Sequence, residues 1–491
     1  MIPKISSDIG SYGIYTVVTS VFVFLSYADL GFLGAGQKFA AEKYALGNEK
    51  LEIEILSFAH FILLCALIIY VGFLIFIYFN PSILFNELAN RDLSLVKNFI
   101  LIFICSSPLI LFQRYFAAIL AIRIEEYFYQ GVIICGNVIN ILSTFYFFRE
   151  GHYEIINYVV FMQLISFFSL IIIYFIIRKR YSYNFKLVLT SLKFNSNVFA
   201  LTKKMALTSI LTSISWILYY ESDPLYVSKL YDPKTVGLFA VGLTMLTLTR
   251  TIMSAFFAPF QTKFNHLRGL GRESEMNIYF SKLVELSIPL SIIFPVGLII
   301  LMEPIIYSWV GSDFIQSIII AKILISGLFF SFITGPLNLI AIAKEKYRFL
   351  LVSSLSLPFL YGVFYLLLNL QFGMISLPLA KIMTLFCSLV INLYYFHKII
   401  SFPLMNLLLR IFIQLIGPLF MLLTLLYITT NLWNVGSEKS FISLVKVVII
   451  GGLIIIFSSF MFYLINPNTR QVLHHLIKNK LGPLLSKLKL L

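Results

Sequence analysis

Five ionisable residues lie well inside long apolar runs of the sequence: Asp29, Arg114, Arg250, Lys322 and Lys381. On insertion scales, an Arg, Lys or Asp at the centre of a membrane helix costs about 2.5–3.5 kcal/mol. Such residues must therefore face protein or a water-filled cavity. Four of the five are cations. A guanidinium offers phosphate oxygens a planar fork of donors, so Arg250 and Arg114 are candidates to hold a diphosphate. Arg250 is 14 residues from one end and 9 from the other of its apolar run 236–259, too deep to snorkel easily to an interface. Lys322 and Lys381 lie only about two turns from a run end, so snorkelling and ligand contact both remain open for them. Asp29 fits either a gating partner for Arg250 or a carrier of a coupling proton or sodium ion. The alternative for Arg250 and Asp29 is a purely structural ion pair.

These residues need membrane helices to position them. The chain has 491 residues, of which 59% are hydrophobic and 12% charged, with a mean hydropathy of +0.93. Soluble domains are nearer 45–50% apolar and about 25% charged. Apolar runs predict spans at 12–36, 55–79, 96–122, 127–148, 155–177, 199–220, 236–259, 280–302, 315–343, 349–368, 373–396, 409–429 and 441–465. Basic residues divide unevenly between alternate loops, 25 against 7. The positive-inside rule then assigns the basic set, including Arg123, the stretch from Arg178 to Lys204 and the C-terminal tail, to the cytoplasm. The net charge of +15 follows from topology, and no nucleic-acid partner is expected. Glu221 and Asp223, at an outer span end, are expected to be solvated. Cys65, Cys105, Cys135 and Cys387 lie in apolar runs and are expected to be packing residues. Pro108, Pro289, Pro295, Pro336 and Pro358 fall inside spans and predict bends.

A faint repeat runs through the chain. Gly13-Ile14-Tyr15 matches Gly237-Leu238-Phe239, and Leu46-Gly47-Asn48-Glu49 matches Leu270-Gly271-Arg272-Glu273; both pairs share an offset of 224. Lys38-Phe39 and Lys263-Phe264 also correspond if one gap is allowed. Both copies enter the membrane from the same side, which predicts two six-helix lobes related by a pseudo-twofold along the membrane normal. The domain expectation is a first lobe over 1–180, a cytoplasmic linker over 181–198 and a second lobe over 199–396. Two accessory helices over 397–467 and a basic amphipathic tail over 468–491 follow. The opening MIPKISSDIG reads as the trailing end of a membrane helix. About 20 further residues are therefore expected upstream, turning thirteen visible spans into fourteen.

Tyr12 to Tyr15 (YGIY), Ala28-Asp29-Leu30-Gly31 and the DPKTVGLF of Asp232 to Phe239 resemble the polysaccharide transporters of the multidrug/oligosaccharidyl-lipid/polysaccharide (MOP) exporter superfamily. The best match is to the Wzx-type O-antigen or capsule repeat-unit flippases. That resemblance implies an inner-membrane carrier with a cytoplasmic C-terminus. Its cargo would be undecaprenyl-pyrophosphate-linked oligosaccharide, moved outward by alternating access. A polysaccharide polymerase and a chain-length regulator are the implied protein partners. Two rival classes are a drug/cation antiporter of the same superfamily, which should present carboxylates where this chain presents cations, and a polysaccharide polymerase. Polymerases carry a large outer loop, whereas the outer loops here are about 15 residues at most, too short for a catalytic constellation. The sequence has no G-x-x-x-x-G-K-[ST] loop, no H-E-x-x-H and no dinucleotide fingerprint. Neither a cofactor nor a metal is expected.

Overall fold

Water is absent from a bilayer core, so each backbone amide and carbonyl there needs a partner within the protein, which leaves helices and closed barrels as spanning elements. This chain takes the helical solution. The computed structural model describes residues 9–25, 31–85, 89–123, 125–149, 154–269, 271–344, 346–399, 404–432, 436 and 439–465. Among these residues there are α-helices and short 3-10 or π turns, and no strand. Asp29, the opening residues 1–8 and the tail from 468 fall outside them.

The first compact unit, Met1–Ala240, begins with α1 (Ile9–Phe24), α2 (Phe32–Ala45) and α3 (Glu49–Phe79). It continues with α4 (Asn90–Ile122), α5 (Glu126–Phe147) and α6 (Ile155–Tyr181), then the short α7 (Phe185–Ser191), α8 (Ser196–Trp216) and α9 (Asp223–Leu230). Helix α3 packs on α2 and α4, α6 packs on α4 and α5, and α8 packs on α2. Leu56, Phe58, Ile119, Ile173 and Ile177 form part of the buried core of this unit. The contact between α8 and α2 groups residues 199–240 with this unit, whereas the sequence reading begins a second lobe at 199.

Helix α10 (Pro233–Gly269) leads into the second unit, Val241–Leu491. That unit contains α11 (Glu273–Val310), α12 (Ile315–Ala343), α13 (Tyr347–Phe372), α14 (Ser376–Ile399), α15 (Leu404–Tyr427) and α16 (Phe441–Ile465). Helices α12, α15 and α16 pack on α11, and α14 packs on α12 and α13. Phe280, Ile293, Leu337, Leu422 and Phe462 are buried where these helices meet. The five prolines expected inside spans are all within continuous helices. In the turn before Pro289, the Tyr463 hydroxyl donates to the Leu286 carbonyl at 2.6 Å, tying α16 to α11.

Ten helical stretches among the described residues are long and apolar enough to cross a bilayer, one of them running through α13 and α14. Two expected spans read differently in the structure. The run 12–36 holds two described helices, α1 and α2, with 26–30 outside the described residues. The Tyr70 hydroxyl of α3 donates to Val21 O, in the last turn of α1, at 2.7 Å. Helix α8 carries Lys203 and Lys204 together with Thr202, Thr208, Ser209, Thr212, Ser213 and Ser215, and these polar residues keep it out of the ten.

The basic loop expected around Lys263 to Lys282 is mostly helix. Helices α10 and α11 have 37 and 38 residues, about 55 Å each at ~1.5 Å per residue. A hydrocarbon core is roughly 30 Å thick, so both helices project beyond it and carry the basic residues with them. Only 270–272 separate the two helices. The repeated Leu-Gly-x-Glu marks are the turns themselves. Gly47 and Gly271 have φ of +73° and +68°, a region that costs a side chain with a Cβ roughly 1–2 kcal/mol. After the first glycine, the Asn48 amide donates back to Lys43 O at 2.9 Å; after the second, the Arg272 amide donates to Leu267 O at 3.1 Å. Both are six-to-one closures of a helix C-terminus. Glu49 and Glu273 each open the next helix, where a carboxylate meets the positive end of the helix dipole.

Three expectations on burial are corrected. Cys65, Cys105 and Cys135 are exposed and Cys387 is half-buried, so they are not core residues. In a chain whose outer surface is itself apolar, hydrophobic surroundings in sequence do not mean the interior. Asp223 is fully buried at the start of α9, not solvated. Arg123, counted above as a loop charge, is 5% exposed.

Gly13 and Gly237, the first pair of repeat marks, meet each other. A Cβ on Gly13 would stand 2.1 Å from Pro233 O and 2.8 Å from Gly237 N, and one on Gly237 would stand 2.5 Å from Ile9 O. The obstructing atoms are backbone and cannot rotate away. Gly13→Val should therefore destabilise the purified protein in a thermal unfolding assay by at least the ~1–3 kcal/mol of ordinary overpacking. Gly34→Ala, whose added methyl meets nothing within 4 Å, should leave the transition in place. An unshifted Gly13→Val transition would show that the close approach is not a constraint.

Candidate functional site

Arg250 is in the interior of α10, half-buried, at the edge of a hydroxyl-bearing face. Thr247, Thr251 and Ser254 recur at helical spacing and are exposed, and Thr244 is half-buried beside them. Leu246, Thr249 and Met253 occupy the other side and are buried. Each exposed hydroxyl donates within the helix or extends its pattern: Thr251 Oγ1 to Thr247 O at 2.9 Å and Ser254 Oγ to Thr251 O at 3.0 Å. Back-bonding of this kind uses the hydroxyl proton and leaves the oxygen as an acceptor. The exposed side thus combines a cation at its edge and several outward acceptors with the exposed apolar Leu248 and Ile252. The sequence reading found the arginine but passed over Thr244, Thr247, Thr251 and Ser254, although their three- and four-residue spacing was available.

The other predicted cations have different surroundings. Lys322 of α12 has its ammonium 3.8 Å from Glu303 Oε2 of α11, with the side chains 37% and 71% exposed. An exposed pair of this sort is worth about 0–1 kcal/mol. Lys381 of α14 is 3% exposed, and its ammonium lies 5.1 Å from the Tyr361 ring centroid of α13. It neither snorkels nor offers itself to a large head group in this conformation. Arg114 of α4 is half-buried, and its charge acts on the Tyr129 phenol of α5. Arg114 belongs to the first unit, and Arg250, Lys322 and Lys381 belong to the second. Lys322 and Lys381 are engaged by separate neighbouring helices.

A second charged centre in the first unit was not anticipated. Arg123, just past α4, donates to both carboxylate oxygens of Glu52 on α3, at 2.8 and 3.2 Å. Its guanidinium also lies over the rings of Tyr44, Tyr181 and Tyr183, at 4.6, 5.1 and 5.2 Å. The Glu52 side chain is completely buried. Burial pushes the Tyr183 phenol above its ordinary range, so that ring serves as a neutral face. Nearby, Arg180 Nε donates to Glu125 at 2.7 Å and Tyr181 donates to the same carboxylate. These bonds hold the Glu125 carboxyl below its ordinary value of 4.5. In sequence, the pairing is signalled only weakly, by a carboxylate at the start of one span and a single arginine at the end of the next.

The fold is similar to those of solved transporters. A structure of the lipid II flippase MurJ in an inward closed conformation matches with a TM-score of 0.62 at 16% identity, covering 93% of this chain and 98% of that one. An inward-facing multidrug resistance MATE family transporter of the MOP superfamily matches with a TM-score of 0.59 at 12% identity, covering 82% and 97%. An outward-facing MATE family transporter of the MOP superfamily matches at 0.51 and 11%, covering 82% and 95%. At these identities the likeness is one of fold. No family model matches the sequence, and no curated protein matches it either.

Removing one partner of a buried ion pair leaves the other charge uncompensated, at a cost of about 3–5 kcal/mol. Glu52→Ala should lower stability to unfolding by that amount, and the double replacement Glu52→Leu with Arg123→Met should recover most of it. A single-variant loss under about 1 kcal/mol would rank the contact with solvent-screened pairs. The Glu125 contact should depend on pH in the acid range only. Its depressed carboxyl contributes stability that is present above 4.5 and lost as pH falls through the lower folded value. Thermal unfolding of wild type and Glu125→Gln should accordingly differ by a constant gap above that pH and converge below it; a gap that closes near neutrality would contradict the assignment.

Proposed function

We propose that the protein is a MOP-type flippase of the inner membrane. Its proposed cargo is a polyprenyl-diphosphate-linked oligosaccharide, carried from the cytoplasmic to the outer leaflet by alternating access for O-antigen, capsule or a related surface polysaccharide. The observation that carries this reading is Arg250 in the interior of α10 beside its exposed hydroxyls. A guanidinium there supplies paired donors to a diphosphate. The oxygens of Thr247, Thr251 and Ser254 can accept from sugar hydroxyls. The likeness in fold to a lipid II flippase is the independent support.

In this mechanism Arg250 is the main diphosphate ligand. Arg114 and Lys322 are proposed as further cations, each in its own unit, whose charge favours an anionic cargo. Lys381, stacked on Tyr361, belongs to that set only in a state that exposes it. Asp29 is the proposed gating or coupling residue, exchanging a proton or a sodium ion. A polymerase and a chain-length regulator would receive the product on the outer side, and the C-terminus would be cytoplasmic. A second reading, a drug/cation antiporter, is favoured by the likeness to MATE family transporters. Its cationic cargo would be repelled by the same side chains.

Arg250→Ala should reduce surface polysaccharide at least tenfold in a complementation assay at unchanged membrane abundance, as expected for loss of charged hydrogen bonds worth about 1.5–3 kcal/mol. Arg250→Lys should restore it in part, because the charge returns without the fork. Wild-type polysaccharide in the alanine variant would remove the diphosphate role. Sensitisation of the deletion strain to cationic dyes, with its polysaccharide intact, would establish the antiporter instead.

A further inference from the structure

The corner between α6 and α7 holds a strained residue. Ser182, with φ of +48° and ψ of +34°, is the one non-glycine in the left-handed region among the described residues. That region is disfavoured for a residue with a Cβ, and after a helix it is usually filled by glycine. Ser182 is itself exposed, so the reason for its conformation lies in its neighbours.

Those neighbours are two of the tyrosines over Arg123. In a continuing helix, residues two apart point about 200° away from each other, and Tyr181 and Tyr183 could not then reach one group. The left-handed turn between them brings both rings to the same guanidinium, at 5.1 and 5.2 Å. The corner is fastened at further points. Tyr181 donates to Glu125, and the Tyr183 hydroxyl lies 3.3 Å from that of Tyr115 on α4. Asn184 Oδ1 accepts from the Leu187 amide at 3.0 Å and so starts α7, whose Leu187 and Val188 pack against the core of the first unit. Inside the corner lies the Arg123–Glu52 pair, with side chains 5% and 0% exposed. A turn with an exposed tip is therefore part of the wall between a bidentate ion pair and water.

We propose that Tyr181, Ser182 and Tyr183 form a strap, closed over the Arg123–Glu52 pair against its own backbone strain. It opens locally while α3, α4 and α6 stay in place, and water reaches the pair when it is open. The strain acts toward opening; the ring and hydroxyl contacts act toward closing. The fasteners named above are side-chain contacts at the end of one helix, so they can release without unpairing the ladder of α6, which ends in the bond from the Ser182 amide to Arg178 O. Arg123 is the positioning residue, and the strap is independent of which cargo the protein carries.

Hydrogen exchange on the full chain in detergent tests the opening. Wild-type amides of 182–188 should exchange at rates unaffected by urea at concentrations that leave the fold intact, as local opening requires. Ser182→Gly, which removes the strain and keeps every ring, should slow that exchange about threefold, the left-handed ease of glycine less its greater freedom when open. Tyr183→Leu should speed it at least about tenfold through loss of a cation–ring contact and a hydrogen bond, while peptides from 155–177 keep wild-type rates. Unfolding measurements test the enclosure. Glu52→Ala should raise the unfolding equilibrium constant at least about a hundredfold in wild type. With the strap removed by Tyr181→Ala and Tyr183→Ala, the same replacement should raise it less than about fivefold, as for a solvent-screened pair. Equal effects of Glu52→Ala in the two backgrounds, exchange of the corner only through global unfolding, or unchanged or faster exchange in Ser182→Gly would each overturn the strap. The glycine variant decides the matter should the double tyrosine variant not fold.

Discussion

A charge removed from water has no solvent to fall back on, and this molecule handles several of its buried or span-embedded charges by different local devices. Arg123 is enclosed by a carboxylate and three tyrosine faces drawn from α2, α3 and the end of α6. Lys381 is buried against an aromatic ring. Lys322 lies near a helix end and has an exposed carboxylate partner. Arg250 borders a face of hydroxyls that is open at the surface of its helix. Enclosure makes a charge structural, whereas an open polar face leaves it able to meet another molecule. By this criterion the cations divide, and the role proposed for Arg250 rests on its place beside exposed hydroxyls.

The same solvent constrains the backbone. In the last turn of α1 a tyrosine from α3 donates to the Val21 carbonyl, and just before Pro289 of α11 a tyrosine from α16 donates to the Leu286 carbonyl. Both contacts join helices far apart in sequence. They tie neighbouring helices through backbone carbonyls, and any motion of those helices past one another must exchange these hydrogen bonds.

Much of the fold was legible in the sequence because its marks are local. Gly47 and Gly271 are required by a left-handed helix ending, and Glu49 and Glu273 by the helix start that follows, so a chemical repeat at a fixed offset reports a repeated turn. The all-helical class follows from hydropathy alone. What could not be read is what depends on packing. The burial of Arg123 needs tyrosines at 44, 181 and 183, and the exposure of the cysteines depends on which helix faces lack neighbours. The hydroxyl face of α10 is an intermediate case: its spacing is local, but threonines in a membrane helix are common enough that only the exposed side and the adjacent arginine make the pattern informative. Asp29 lies outside the described residues, so its proposed role rests on its position in sequence.

An open face with one cation and several acceptors discriminates by chemistry as well as by charge. A diphosphate alone would be served by further cations, and those nearest at hand in the second unit are already engaged, Lys322 with Glu303 and Lys381 with Tyr361. A cluster of unpaired cations would also bind the diphosphate too tightly to release it, since a carrier must let go of what it recognises. A single guanidinium flanked by hydroxyl oxygens instead divides the recognition between the anionic carrier group and a polyhydroxylated portion, and neither contact is strong enough to hold the cargo by itself. In the proposed mechanism, one guanidinium in the interior of α10 suits a site that must turn over.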